Sequence, residues 1–348
     1  LNSPNTVLCK VTTDEGEAAV GALIDPFKID ALMEEPSDFD QFWETAKEEL
    51  AAIPIDPQLA YVTEDEYSTS YRVNLAHINN RRVYGYITIP KKEGIYPAVL
   101  SLPAFGTGAN IVNPDPLLPK ALGVISMTIS IHNAEPDQVD SLAYQPNDIT
   151  IPEENYLRQA VLCGVRAIDY LHSRADFNGK VGLLGVSQGG GLAILTAGVD
   201  ERVDFISISG AVYGQHAGAA FDQASGFPYY LRSVENESTA LQDAALNASL
   251  YYDAIFFARR FKGEVFSHMG YLDDIANPAT QLAIFNQFTG SKVLTLSKEL
   301  PHAHPAQYWS GRLATIRRIL PEAKQYAWEW AGSATGYSIY AGQDTSVI

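Results

Sequence analysis

From residue 96 onward the sequence alternates between short apolar runs and longer amphipathic segments, and this alternation limits the fold more than any other feature. The runs are almost continuously apolar, as is typical of strands buried on both faces of a parallel sheet. We predict strands at about residues 97–102, 123–130, 180–186, 203–209, 263–269 and 292–297. The clearest helix, at residues 154–174, carries one apolar stripe of Leu157, Val161, Val165, Ile168 and Leu171. Strands and helices in this order predict an α/β protein with a mostly parallel, doubly wound sheet flanked by helices.

The part of the chain before these strands has two recognisable units. Residues 36–50 place apolar side chains at helical spacing after a proline, and we expect an amphipathic helix with Ser37 as its N-cap. Residues 71–90 contain two strand-like runs on either side of Asn79 and Asn80. Because asparagine tolerates positive φ, this pair predicts a tight antiparallel hairpin at the N-terminal entry to the sheet.

The domain organisation is expected to be simple. Residues 1–30 carry short apolar runs and acidic turns without a helical period, and one interpretation is that they end a β-domain lying upstream. Residues 31–348 are enough for one large α/β domain. The sequence begins with Leu1 and without a leader segment, so we expect that the natural N-terminus was removed.

The overall charge argues against polyanionic partners. The formal net charge is −17 and the isoelectric point is about 4.7, with no cluster of lysine or arginine to offset it. Nucleic acid and anionic membrane surfaces are therefore not expected as partners, and no apolar run is long enough to span a bilayer. The two cysteines, Cys9 and Cys163, are too few for a disulfide framework. Cys163 falls within an apolar helical pattern and is expected to be an inert buried thiol.

The strongest chemical signal lies in residues 182–194, GLLGVSQGGGLAI, where Gly185, Ser187 and Gly189 have the spacing G-x-S-x-G. A predicted strand ends just before the serine and a predicted helix begins just after it. This context is that of the nucleophile elbow of α/β-hydrolases, in which a serine on a cramped turn is presented for attack. A phosphate-binding glycine turn would need a glycine directly after the strand or a following Gly-Lys-Ser/Thr, and neither is present. We therefore predict an α/β-hydrolase fold with Ser187 as the nucleophile.

A serine nucleophile needs a base to accept its proton and a carboxylate to hold that base. In α/β-hydrolases the chain order is serine, acid, histidine. Asp273 and Asp274 follow the predicted strand at residues 263–269. Asp273 is the expected acid and Asp274 the reserve, although either could instead cap a helix or face solvent. His302 and His304 follow the last predicted strand, and each fits the position of the base.

The same chemistry predicts an oxyanion hole made of backbone N–H groups. We expect the donors to be Gln188, directly after the nucleophile, and Phe105, in the loop after the first parallel strand, with the phenyl ring forming a wall of the acyl pocket. His302 and His304 could together bind a metal, but no third histidine or cysteine lies nearby at a recognised spacing. We expect neither a metal nor an organic cofactor.

Several segments together resemble the acetyl xylan esterase and cephalosporin C deacetylase family. They are PSDFDQFWETAKEEL, YLRQAVLCGVRAIDYL, GVSQGGGLAI, YYDAIFFARRF and GYLDDIANPATQLAIFNQF, and the resemblance covers about residues 36–320. It implies that Ser187 is the nucleophile and that the family's aspartate falls on Asp273 rather than Asp274. Counted from Lys292, the family's histidine falls on His302, but Ala303 replaces the glutamate that follows it in the family, which keeps His304 as an alternative.

The sequence departs from the family after the second parallel strand. Ser130 to Asn133 replace the family's Arg-Gly-Gln-Gly motif, and the segment from Asn133 to Glu154 is shorter than its counterpart. In the family this region helps to build a hexamer. We therefore expect a monomer or dimer rather than the family's hexamer.

The predicted function is that of a serine esterase that deacetylates carbohydrate esters through an acyl-enzyme. The expected substrate is an acetylated oligo- or polysaccharide, and the expected location is secreted or periplasmic. One alternative is a serine peptidase of related fold, which would need a cap or propeller domain that this chain has little length to encode. Another is a non-catalytic carbohydrate-binding protein that keeps the elbow as scaffold.

Overall fold

The computed structural model describes residues 4–106, 112–138, 143–145, 147–303 and 316–317, and the backbone of 337–341. Its strands are β1 (Asn5–Thr13), β2 (Gly16–Ile24), β3 (Gln58–Glu64), β4 (Ser68–Ala76), β5 (Arg82–Pro90), β6 (Tyr96–Leu102), β7 (Ile125–Ile129), β8 (Phe177–Val186), β9 (Val203–Ser209), β10 (Glu264–Gly270), β11 (Lys292–Ser297) and β12 (Tyr337–Ala341). Its α-helices are α1 (Phe39–Ala51), α2 (Leu117–Leu122), α3 (Tyr156–His172), α4 (Gln188–Val199), α5 (Tyr230–Ser233), α6 (Thr239–Ser249), α7 (Ala254–Arg260) and α8 (Pro278–Gln287).

Strands β3 to β12 form one sheet with a parallel centre. Their order is β12-β11-β10-β9-β8-β6-β7-β5-β4-β3. The pairings from β7 through β6, β8, β9 and β10 to β11 are parallel. The strands β3, β4 and β5 add an antiparallel edge, and β12 pairs antiparallel with β11. In this sheet β7 lies on one side of β6 and β8 lies on the other. The strand order therefore reverses at β6, and the loops that follow β6 and β8 meet there. Ligand sites of doubly wound sheets usually lie at such a reversal.

Alternate residues of the central strands face two hydrophobic cores, one on each side of the sheet. Leu100 and Leu183 belong to the larger core, which also receives the buried faces of α1, α3, α4, α7 and α8. Their neighbours Val99 and Leu184 belong to a smaller core that packs against α2. Successive side chains of a strand point to opposite faces, which is why continuously apolar runs are needed at these strands.

The sequence-based predictions of these elements are largely confirmed. Each predicted parallel strand is present within a few residues of its expected bounds, and Asn79 and Asn80 have φ angles of 58° and 56° between β4 and β5. The predicted N-cap of α1 was wrong. The N-cap position is Asp38 rather than Ser37, and its side chain makes no capping bond. The Phe39 N–H instead donates to the Pro36 carbonyl at 3.0 Å, so a backbone turn closes the end of the helix.

The first strands form a separate two-stranded hairpin, β1 paired with β2. This hairpin contacts the segment that leads into α8. Lys10 Nζ lies 3.2 Å from the Asp274 carboxylate, and the Thr6 hydroxyl donates to Asn277 Oδ1 at 3.2 Å. The β-character expected for residues 1–30 is therefore seen in residues 5–24, whereas an upstream β-domain stays a prediction.

The two cysteines differ in their surroundings. Cys163 is buried on α3, where burial raises the pKa of its thiol to about 12 and leaves it unreactive. Cys9 is exposed on β1. None of the described helices combines the length and the apolar character needed to cross a bilayer.

Candidate active site

Ser187 lies between β8 and α4, on the turn that the G-x-S-x-G spacing predicted. Its φ and ψ are 54° and −123°, a conformation that costs a non-glycine residue energy and is typical of functional turns. Two backbone bonds maintain it: the Ser187 N–H donates to the Ser209 carbonyl at 2.8 Å, and the Gly191 N–H donates to the Ser187 carbonyl at 3.1 Å. The serine is therefore held by the neighbouring strand and by the first turn of its own helix.

The second glycine of the motif allows the loops after β6 and β8 to approach each other. A Cβ at Gly189 would lie 2.3 Å from the carbonyl oxygen of Leu102, the last residue of β6. Any side chain there would push the start of α4 away from the loop that follows β6. Glycine at this position therefore brings the Ser187 turn close to the segment that carries Phe105.

Asp273 lies in the loop between β10 and α8 and is only 2% exposed. Its Oδ1 accepts backbone hydrogen bonds from Ile275 at 3.0 Å and from Ala276 at 2.7 Å. Its Oδ2 accepts from the Gln281 side chain at 3.4 Å and faces His302. A buried carboxylate needs such donors, and here they also fix the orientation of the oxygen that meets the histidine.

Asp274, the reserve candidate, points elsewhere. Its side chain is 55% exposed and pairs with Lys10 of the N-terminal hairpin. The two adjacent aspartates of this loop therefore differ in burial: Asp273 is buried among backbone donors, and Asp274 lies at the surface. The structure brings Asp273, and not Asp274, to the histidine.

His302 follows β11 and connects the other two side chains. Its Nδ1 lies 2.8 Å from Asp273 Oδ2, and its Nε2 lies 2.9 Å from Ser187 Oγ. An ionised carboxylate can only accept a hydrogen bond, so we assign the imidazole proton to Nδ1. Nε2 is then the acceptor for the serine hydroxyl, which is the arrangement required of a general base.

His304 lies outside the described residues. Within the described ranges, no group of three or more histidine, cysteine, aspartate or glutamate side chains could hold a metal ion. The arrangement of Ser187, His302 and Asp273 is that of a nucleophile, a base and an orienting acid.

The residues expected to form the oxyanion hole come together beside the serine. Gln188 is the first residue of α4, and its side chain donates to the carbonyl of Ala104, next to Phe105. The Phe105 ring is exposed, stacks on Tyr144 with a centroid distance of 4.8 Å and meets Phe227 edge-on at 5.6 Å. An aromatic surface therefore borders the site on the side of the loop that follows β6.

Two participants in the site were missed by the sequence-based reasoning. Gln281 supports the buried carboxylate from α8, and Tyr213 donates a hydrogen bond to the Gln188 side chain at 3.1 Å. Neither belongs to a recognised short motif. Tyr213 is 25 positions from Gln188, and Gln281 is 8 positions from Asp273, on the helix that follows the loop. The sequence offered one signal for each residue, namely its position near a predicted site loop. Gln281 lies one turn into α8, and Tyr213 lies just after β9.

The sheet, the helices on both of its faces and the Ser187 turn between β8 and α4 define an α/β-hydrolase. Its family follows from the sequence: the family model described as acetyl xylan esterase (AXE1) matches residues 28–317, and the chain belongs to this family. The acetyl esterase Axe7A of Xylanibacter ruminicola is 31% identical over 277 residues, which cover 74% of this chain and 61% of that protein. This chain thus spans about three fifths of the length of that curated relative.

Solved structures agree with the fold. An acetyl xylan esterase from Paenibacillus sp. R4 superposes with a TM-score of 0.75 at 21% identity, covering 85% of this chain and 98% of the other. Acetyl xylan esterase 1 from Thermoanaerobacterium sp. JW/SL YS485 gives a TM-score of 0.74 at 17% identity, covering 84% of this chain and 97% of the other. At these identities the two superpositions establish the shared fold.

Proposed function

We propose that this protein is a serine esterase that removes acetyl groups from carbohydrate esters. The observation that carries the proposal is the continuous hydrogen-bonded arrangement of Asp273, His302 and Ser187 at the carboxyl ends of the parallel strands. Membership of the acetyl xylan esterase family supports the substrate class, an acetylated oligo- or polysaccharide.

The chemistry proceeds by acyl transfer in two steps. Ser187 Oγ attacks the carbonyl carbon of the acetyl ester while its proton passes to His302 Nε2, and Asp273 stabilises the imidazolium that forms. The tetrahedral oxyanion is stabilised by the backbone N–H groups of Phe105 and Gln188. Its collapse expels the sugar hydroxyl, which takes the proton from His302. Water then attacks the acetyl-enzyme by the same route in reverse and releases acetate.

The shape of the site favours an apolar group next to the reacting ester. The exposed ring of Phe105 and its partner Tyr144 present an aromatic surface beside the proposed oxyanion hole. Such a surface suits the methyl of an acetyl group or the apolar face of a sugar ring. A panel of acetylated xylo-oligosaccharides and other acetylated glycans, assayed for released acetate, identifies the preferred sugar.

Replacement of the nucleophile is the direct test. Ser187→Ala should lower kcat for p-nitrophenyl acetate on the order of 10⁴- to 10⁶-fold, because the members of such a triad act as a unit. The folded variant should also lose labelling by a fluorophosphonate. Wild-type turnover in a well-folded Ser187→Ala protein would refute the mechanism and favour the non-catalytic, carbohydrate-binding alternative. Faster cleavage of an aminoacyl-nitroanilide than of p-nitrophenyl acetate would favour the peptidase alternative.

We further propose that the protein acts as a monomer or dimer. The support is the replacement of the family's Arg-Gly-Gln-Gly motif by Ser130 to Asn133 and the shortened segment that follows. Light scattering gives the mass in solution, and a hexameric mass would contradict this proposal.

A further inference from the structure

The side-chain amide of Gln188 connects the two segments that carry the proposed oxyanion donors. This residue is almost completely buried. Its Nε2 donates a hydrogen bond to the carbonyl oxygen of Ala104 at 3.3 Å, and its Oε1 accepts one from the hydroxyl of Tyr213 at 3.1 Å. The mechanism above uses only the backbone N–H of Gln188, so these side-chain bonds need a separate explanation.

The bond to Ala104 controls the direction of the other donor. The carbonyl of Ala104 and the N–H of Phe105 belong to the same peptide unit, and in a planar trans peptide these two groups point in opposite directions. A hydrogen bond that turns the Ala104 carbonyl toward the Gln188 side chain therefore turns the Phe105 N–H away from it. One residue thus supplies a donor from its backbone and orients the second donor with its side chain.

Tyr213 in turn orients the Gln188 amide. Its side chain is fully buried, and its hydroxyl lies 3.0 Å from that of Tyr156. Burial raises the pKa of the Tyr213 hydroxyl well above its usual range, so the hydroxyl stays protonated and can donate. A hydroxyl has one proton to donate. Because Tyr213 donates it to Gln188 Oε1, Tyr156 is the donor to Tyr213, and the three groups form a directed chain.

The backbone around Tyr213 is adapted to this position. Its φ is 75°, an unfavourable value for an aromatic residue. Its ring occupies the space beside Gly191 of α4, where a Cβ would lie 2.4 Å from Tyr213 Cδ2. The third glycine of the sequence Gln-Gly-Gly-Gly therefore makes room for the tyrosine that contacts Gln188. The strained backbone of Tyr213 and the space that Gly191 leaves for its ring indicate that this tyrosine has a functional role.

We propose that Tyr213 and the Gln188 side chain are positioning residues for the oxyanion hole, which hold the Ala104–Phe105 peptide so that the Phe105 N–H is aimed at the developing oxyanion. The inference rests on the proposed esterase function and adds to it the residues that align its two donors. Preorganised donors stabilise a transition state because they need not reorient during the reaction.

A second contact limits the size of the expected effect. The N–H of Gly106 donates to the Tyr144 hydroxyl at 2.8 Å, so the loop is also held one peptide further along. Loss of the Tyr213 hydroxyl should therefore loosen the Phe105 peptide without releasing it. Complete loss of one oxyanion donor costs about 10²- to 10³-fold in rate, so we expect about 10-fold for a loosened one.

The test uses two variants that leave both backbone donors in place, Tyr213→Phe and Gln188→Leu. Each should lower kcat for p-nitrophenyl acetate about 10-fold with little change in KM, because the donors act on the transition state more than on the bound ester. Each should also raise the inhibition constant of 1,1,1-trifluoroacetone by a similar factor. Ser187 Oγ adds to the carbonyl carbon of this ketone, and its proton passes to His302. The ketone oxygen then becomes an oxyanion at the position that the reaction's oxyanion would occupy.

Tyr230→Phe is the matched control. Tyr230 is also a buried tyrosine, but its hydroxyl contacts the Asn155 side chain rather than Gln188. This variant should lose stability to a similar extent in a thermal melt and keep the wild-type kcat and inhibition constant. The double variant Tyr213→Phe/Gln188→Leu should be no slower than Gln188→Leu, because Tyr213 acts through the Gln188 amide.

The outcomes separate this proposal from the one on which it rests. Each rate is divided by the concentration of active sites, which is measured by titration with a fluorophosphonate. This correction removes any effect of a smaller folded fraction. An unchanged trifluoroacetone constant in Tyr213→Phe, or an equal loss in Tyr230→Phe, overturns the positioning role while the esterase function stands. A wild-type protein without esterase activity overturns both.

Discussion

The active site and the turn that follows β4 each contain a histidine, and the two histidines have opposite electrostatic surroundings. The His302 side chain is 14% exposed and lies between the Asp273 carboxylate and the Ser187 hydroxyl. His77, at the end of β4, is 3% exposed and lies near the guanidinium groups of Arg166 and Arg81. One imidazole therefore hydrogen-bonds to a carboxylate, whereas the other lies among cations that oppose its protonation.

The surroundings of a histidine decide whether it can act as a base. Burial and the neighbouring arginines lower the pKa of His77 to about 3, so it remains neutral over the whole physiological range. It can pack but it cannot act as a proton acceptor near neutrality. His302 combines partial burial with a carboxylate partner, which is the environment that a general base requires.

The largest expected effect comes from removing the two histidines in turn. His302→Ala should lower kcat by about as much as Ser187→Ala, on the order of 10⁴-fold or more, whereas His77→Gln should leave kcat within about 2-fold. His304→Ala, outside the described residues, is the critical control and should cost about 10-fold or less if it only shapes the loop. A reversed result, with His304 essential and His302 dispensable, would exchange the two assignments.

The next effect follows from removing the charge that distinguishes the two sites. Asp273→Asn leaves His302 with a neutral partner and should lower kcat by about 10³- to 10⁴-fold, because the imidazolium loses its counter-charge and its tautomer is no longer enforced. The matched control is Asp274→Asn, one residue further along, which removes only the exposed pair with Lys10. It should change kcat by less than about 2-fold. Similar losses in both variants would contradict the assignment of Asp273.

The smallest effect is one of stability and belongs to His77. Its native pKa of about 3 lies below the ordinary 6.5, so between these values the unfolded chain binds a proton that the native protein does not. The stabilisation is complete above pH 6.5 and is lost as the pH falls, by up to about 1.4 kcal/mol per pH unit.

Urea unfolding at pH 7 and pH 5 measures this loss. The wild type should lose about 2 kcal/mol more between the two pH values than His77→Gln does. Groups that titrate in both proteins cancel in this difference. Equal losses in the two proteins would show that His77 takes up a proton as readily in the native protein as in the unfolded chain, and would contradict the lowered pKa.

Several features of the fold and the site could be predicted from the sequence. Continuously apolar runs identified the parallel strands, since strands covered on both faces admit few polar residues. The elbow at Ser187 was recognisable because a strand, a turn and a helix are encoded within about twenty consecutive residues. The order of serine, acid and histidine along the chain then limited the acid to Asp273 or Asp274 and the base to His302 or His304.

The choice between neighbours and the support around the site were decided by tertiary structure. Local sequence places Asp273 and Asp274 in one loop, but only the packing of α8 and of the N-terminal hairpin buries the first and exposes the second. Tyr213 and Gln188 are 25 positions apart and meet because β8 and β9 are neighbours in the sheet. The periodicity of a segment determines which of its faces is buried, but not which distant side chain will lie against that face.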